Sequence, residues 1–289
     1  VYRTVGASRF GVDRLDLLID CLPWAPMTAP SEPLYVAESP EPVEVDIFAP
    51  EPQRRWTVFL RLLLAIPQLI AVWLLQIVAT VVVIVGWFAA LVTGRLPDWC
   101  GELLRSIVAY EARVVAYVLL VVDRYPPFTF DTAPAEYPVR VWFPAPTRLN
   151  RLAVFFRLLL ALPMLLVTNL LYAGWSAAAV IVWLVTLILG RQPRALFEAS
   201  GAGLRIHLRT TSYVYLLTPA YPWGIFGDTA PMPGQAPASP TRPLLVSTAG
   251  RVLLVVFLIL GIIADITSTT VSSTDTGDDD SSEITAQIR

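Results

Sequence analysis

Two stretches of 33 residues without one charged side chain, 62–94 and 158–190, constrain this chain more than any other feature. A helix apolar on every face is stable only inside a large core or in lipid. Drawn out straight, such a run is about 50 Å long, against about 30 Å for a bilayer's hydrocarbon core. Arginines flank both ends: Arg54, Arg55 and Arg61 before the first run and Arg95 and Arg105 after it; Arg148, Arg151 and Arg157 before the second and Arg191 and Arg194 after it. Positive flanks at both ends predict a helical hairpin whose two ends face the cytoplasm. Asn169, Gly174 and Ser176 supply a turn in the second run, where the first offers only Gln76 and Thr80. A single tilted or kinked helix is the alternative for each run. A third apolar run, 252–264, predicts one further crossing, giving five spans with the N-terminus inside and the C-terminal tail outside.

Composition agrees with a lipid setting. Hydrophobic residues make up 55% and charged residues 15%, with a mean hydropathy of +0.61, which argues against a soluble enzyme. All 21 basic residues are arginine, yet the net charge is −2, so nucleic acid is not an expected partner. Fifteen arginines against seven acids fall in 54–209, between two acidic flanks, so arginine is expected to gather at a headgroup surface. Two cysteines and one histidine, His207, are too few for a cysteine framework or a zinc site.

The chain repeats itself. Laid over 139–163 at a shift of 96, residues 43–67 show 13 identities in 25 positions. The same shift aligns Trp87 with Trp183, Gly94-Arg95 with Gly190-Arg191, Pro97 with Pro193, Glu102 with Glu198, and Tyr125-Pro126 with Tyr221-Pro222. Each copy reads as a short alternating arm, an apolar hairpin and a second helix. An even number of crossings per copy predicts a pseudo-two-fold axis along the membrane normal. Gly94 and Gly190 suit helix C-termini, and Pro97 and Pro193 suit the start of the next helix. That next helix carries a polar or small stripe (Glu102, Arg105, Ala109, Arg113; Glu198, Gly201, Arg205, Arg209), the pattern of an amphipathic helix lying at the interface, or of another tilted span.

Candidate functional residues follow from placement. Arg61 and Arg157 lie one turn into the runs, where arginine snorkels to headgroups or contacts lipid phosphate; the sharper expectation pairs Arg61 with Glu102 and Arg157 with Glu198. Arg105 and Arg205 complete the set of structural or lipid-contact candidates. Pro67 and Pro163 predict kinks, and the tryptophans predict interfacial belts. His207, whose counterpart is Glu111, has no visible chain of partners for a proton relay. The acidic tail lacks the spacing of a calcium loop. No phosphate-cradling loop, nucleophile elbow or metalloprotease motif is present, so no catalytic residue, cofactor or metal ligand is assigned and an enzyme is not expected.

The strings Arg-Leu-Leu-Leu-Ala-Ile-Pro (61–67), Trp-Phe-Ala-Ala-Leu-Val-Thr-Gly-Arg-Leu-Pro (87–97) and Asp-Arg-Tyr-Pro-Pro-Phe (123–128) together resemble DUF4389, an uncharacterised bacterial membrane family common in actinobacteria. The second copy is similar but has Thr218-Pro219-Ala220 where the first has Val122-Asp123-Arg124. The resemblance implies a plasma-membrane location and brings no activity. The expected organisation is an unstructured segment 1–42, repeats at 43–131 and 139–228, a Pro-rich linker 229–243, a C-terminal span 244–266 and a disordered, solvated acidic tail 267–289. Met27-Thr28-Ala29-Pro30 has the form of a bacterial start, so residues 1–26 are expected to derive from an upstream valine-type start codon. The fold class is thus an all-α integral membrane protein of two tandem hairpin repeats plus one helix. Its expected role is a non-enzymatic scaffold or accessory subunit holding anionic lipid headgroups, a membrane-protein partner or a second copy; a small transporter or lipid-handling protein is the alternative.

Overall fold

The computed structural model describes residues 41–48, 52–132, 134, 137–228 and 244–287, with side chains to 268. All belong to one compact unit, Pro40–Arg289; the expectations for 1–26 and for the linker 229–243 fall outside the described residues. The first copy comprises β1 (Glu44–Ile47), α1 (Arg55–Phe59), α2 (Arg61–Thr93) and α3 (Asp98–Val118). The second comprises β2 (Val139–Trp142), α4 (Arg151–Phe155), α5 (Arg157–Leu189) and α6 (Arg194–Val214), and α7 (Thr248–Gln287) follows.

Each uncharged run is one continuous helix, which corrects the hairpin expected within it. The residues expected to turn the chain are used otherwise. Thr80 returns its hydroxyl to the Gln76 carbonyl at 2.7 Å inside α2, and Gly174 is a helix-crossing point, where an added Cβ would stand 1.7 Å from the Phe257 carbonyl oxygen. The turn comes at the ends instead, where Gly94 (φ 73°) and Gly190 (φ 66°) take the left-handed conformation and Pro97 and Pro193 precede α3 and α6. Three helices, α2, α5 and residues 248–268 of α7, are long and apolar enough to cross a membrane, in place of five spans.

The distribution of burial is inverted relative to a soluble protein. Seven of 33 residues are buried in α2 and nine of 33 in α5, the most apolar elements, against 13 of 21 in α3 and 15 of 21 in α6. The helices expected to lie at the interface are therefore the centre of the molecule. Small residues (Gly101, Ala109, Ala112 and Ala116; Ala199, Gly201 and Ala202) let the helices around them approach closely.

The alternating arms form a two-stranded antiparallel ladder, so the fold is not purely helical. Val45 faces its own equivalent Val141, flanked by Glu44↔Trp142 and Asp46↔Arg140, and exchanging each residue for the one 96 positions away returns the same ladder. Other contacts obey the same exchange. Gln53 N donates to Gly190 O (2.8 Å) and Leu149 N to Gly94 O (2.9 Å); Trp87 Nε1 donates to Val154 O (2.9 Å) and Trp183 Nε1 to Val58 O (2.8 Å). Each long helix thus ends beside the short helix that begins the other, and α2 and α5 run in opposite directions. A two-fold relating them lies across the helices, which corrects the axis expected along them. Helix α7 breaks the symmetry by packing on α5 and α6. Its backbone stays helical through Gln287, across the tail expected to be unstructured; no proline follows Pro243 to interrupt it.

Candidate functional site

Arg61 and Arg157 neither snorkel nor pair with Glu102 and Glu198; they are 2% and 3% exposed. Helix α3 closes with Leu120 in the left-handed region (φ 62°), where Leu120 N bonds Tyr117 O and Val121 N bonds Ala116 O. This is a Schellman end with leucine where glycine is usual. Arg61 is a second donor to Tyr117 O and also donates to Val122 O, both at 2.9 Å, and reaches Asp123 Oδ1 at 3.0 Å. Its guanidinium lies over the Tyr117 ring at 4.4 Å. Arg157 repeats the arrangement at Leu216 (φ 64°), with Tyr213 O and Thr218 O as acceptors and the Tyr213 ring at 4.0 Å. A cation at a helix C-terminus meets both the orphaned carbonyls and the negative end of the dipole. Both arginines are positioning residues.

Glu198 and Arg205 belong to the fastening of the second copy. Glu198 bonds Arg194 at 2.8 Å and accepts from Ser247 N at 2.8 Å, at the start of α7. Burial pushes its carboxyl up, but the bonds to Ser247 and Arg194 outweigh this and hold it below the ordinary value. Arg205 and Arg209 both reach Glu44 on β1 and Asp228 after α6. Burial likewise raises Asp228, and Arg205, the Leu244 amide and Arg209 bring it below its usual range.

Glu102 and Arg105 stand apart from these pairs. They line a cleft of about 350 Å³ at the corner after α2, with Arg95, Asp98 and Arg148 also on its wall. Arg105 Nε is buried and has no hydrogen-bond partner among the described residues.

The sequence reading missed one constellation. His207 Nε2 lies 3.0 Å from Glu111 Oε1, and these are equivalent positions of the two copies, meeting where α3 and α6 pack on each other. The Tyr172 ring is 5.1 Å from His207. Glu111 Oε2 and Tyr172 Oη are buried without a partner among the described residues. Nearby, Tyr215 Oη donates to Gln76 Oε1, and burial together with the Glu111 charge pushes the Tyr215 phenol up. Gln76 and Tyr172 are themselves equivalent and lie midway along α2 and α5. The signal was available: a residue at a pseudo-symmetry axis meets its own repeat partner, so the alignment of His207 with Glu111 names the pair. The adjoining void, lined by Tyr172, Trp175, Ser200 and Phe257, measures about 10 Å³. No group of three or more metal-binding side chains occurs among the described residues.

Comparison with curated proteins and with solved structures gave no match. A family profile described as Domain of unknown function (DUF4389) matches residues 55–129 and again 151–225, each match running from the short helix through the segment after the second long one and leaving the strands and α7 outside. Since those two matches span more than half of its length, the chain belongs to the DUF4389 family.

Proposed function

We propose that the chain is an integral plasma-membrane protein without catalytic activity of its own, a scaffold or accessory subunit whose arginine-lined helix ends hold anionic headgroups or a membrane partner. The observation that carries this reading is the inverted burial: apolar α2 and α5 outward, polar α3 and α6 inward. Water would leave a large apolar exterior uncovered, whereas lipid accepts it and penalises exposed polar groups. With three crossings, α2 and α5 form an inverted pair and the chain ends lie on opposite sides, the N-terminus cytoplasmic and the C-terminal tail outside. Headgroup attraction of about 1 kcal/mol per arginine near the surface adds to the anchoring. Affinity purification in mild detergent, with identification of partners and lipids, tests the reading. Recovery of a stable larger complex supports it; an isolated chain that turns over a substrate contradicts it.

The Glu111–His207 pair favours a second reading, a small transporter. Intramembrane ionisable groups commonly mark ion or substrate pathways, and repeats that face one another build sites at their interface. Proton or solute flux in proteoliposomes that disappears in Glu111→Gln would favour it over the scaffold.

A further inference from the structure

The two copies differ most where α7 docks. In the second copy Glu198 Oε2 accepts from Ser247 N at 2.8 Å, Leu244 lies against Gly201, and Asp228 exchanges bonds with Leu244 at 2.9 and 3.0 Å. Helix α7 then descends α5 with the backbones in contact, since a Cβ on Gly174 or Gly261 would stand 1.7 or 2.0 Å from a carbonyl oxygen of the other helix.

At the shift of 96 the first copy keeps the carboxylate, Glu102, and replaces everything that admits the helix. Gly201 becomes Arg105, Gly174 becomes Val78 and Asp228 becomes Thr132. The Val78 side chain stands where the Phe257 backbone would lie, and Arg105 stands where Leu244 would. A helix is therefore excluded in the manner of α7. What remains is the open cleft with Arg95, Arg105 and Arg148 above an uncovered apolar face, with Leu74 52% and Val78 44% exposed. The cleft sits level with Leu96, which packs beneath Gly86. From Gly86 to Val78 is about 12 Å at about 1.5 Å per residue, within the roughly 15 Å depth of one leaflet.

We propose that this cleft binds the phosphate of an acidic phospholipid, whose acyl chains lie on α2 at Val78 and Leu74, so that a lipid takes in the first copy the place α7 holds in the second. The phosphate meets the guanidinium of Arg105 where it lines the cleft, with Arg148 and Arg95 on the same wall. Asp98 and Glu102, on the same wall, set the limit of the site by repelling a second anion, against three arginines that hold the first. The proposal rests on the membrane reading above.

Native mass spectrometry of the full chain in detergent, titrated with phosphatidylglycerol or phosphatidylcholine, tests it. The expected result is one tightly held phosphatidylglycerol per chain, preferred over phosphatidylcholine. The preference should fall about fivefold in Arg105→Gln and again in Arg148→Gln, and largely persist in Arg105→Lys. Circular dichroism unchanged from wild type would show that the variants are folded. Equal binding of both lipids, a preference unchanged in Arg105→Gln, displacement of the lipid by inorganic phosphate at equal concentration, or a second copy seated on α2 would each overturn the proposal. None of these touches the membrane reading, which fails separately if the chain is recovered without detergent in the soluble fraction.

Discussion

At the scale of the residue, Arg61 and Arg157 show how a buried cation can be structural. Each is committed to the carbonyls at the end of the inner helix, and a left-handed leucine, costing of order 1–3 kcal/mol by itself, is held in place beside it. Arg61→Leu takes the donor from the Val122 carbonyl and the charge partner from Asp123, which keeps its bonds from Thr57 and the Arg54 amide, so a loss of about 2 kcal/mol is expected in denaturant unfolding followed in detergent. Glu102→Gln should leave the same midpoint unchanged, because Glu102 faces the cleft and not Arg61; a loss equal to that of Arg61→Leu would restore the pairing that the repeat alignment first suggested. Placement of the arginines was legible in the sequence, whereas their partners were not. Asp123 and the carbonyls lie in a loop, where spacing carries no periodicity from which contact can be inferred. Asp228, together with Glu198, contributes to the response to acid. Asp228 has a folded-state pKa below its unfolded value, so the stability it contributes is fully present above an ordinary carboxylate pKa of about 3.9 and is lost as pH falls through the lower folded value. Thermal midpoints measured downward from about pH 5 should therefore drop, and Asp228→Asn should flatten that part of the profile; an unchanged slope in the variant would refute the assignment.

Helices make the lesson more specific. The ends of α2 and α5 could be read beforehand because Gly94-Arg-Leu-Pro97 and Gly190-Arg-Gln-Pro193 encode a corner in local chemistry. Their continuity could not, because an apolar run too long for one upright crossing and just long enough for two leaves hairpin and single helix equally compatible with hydropathy. The polar stripe on α3 and α6 was visible too, but such a stripe serves equally to face headgroups or to pack on a neighbouring helix, so the periodicity that marks an interfacial helix also marks one buried at the centre of the molecule. Gly174 illustrates the difference between a turn and a contact. Gly174→Leu should separate α7 from α5, and destabilisation of about 2 kcal/mol or more is expected for such overpacking, read as faster protease release of the C-terminal helix. Val78→Leu, at the equivalent position on uncovered α2, should be neutral; if both variants behave alike, the asymmetry between the copies is wrong.

For the molecule as a whole, the internal duplication was the most informative part of the sequence. It named which positions are equivalent, and the ladder centred on Val45 and Val141 pairs those equivalents with each other. The axis predicted along the membrane normal was wrong, because it rested on an even number of crossings per copy; a shift of 96 is the same number whether the copies stand side by side or head to tail. The claim on which function rests is that α2 and α5 present their apolar sides to lipid and enclose α3 and α6. Labelling in native membranes with a photoactivated carbene probe that partitions into acyl chains, followed by peptide mass spectrometry, measures this directly. The account predicts dense labelling at exposed positions such as Leu62, Val81 and Val92 of α2 and Leu158, Ile181 and Ile188 of α5, with Leu104, Ile107, Leu204 and Leu208 protected. Labelling of the inner helices as heavy as that of the outer ones would contradict it.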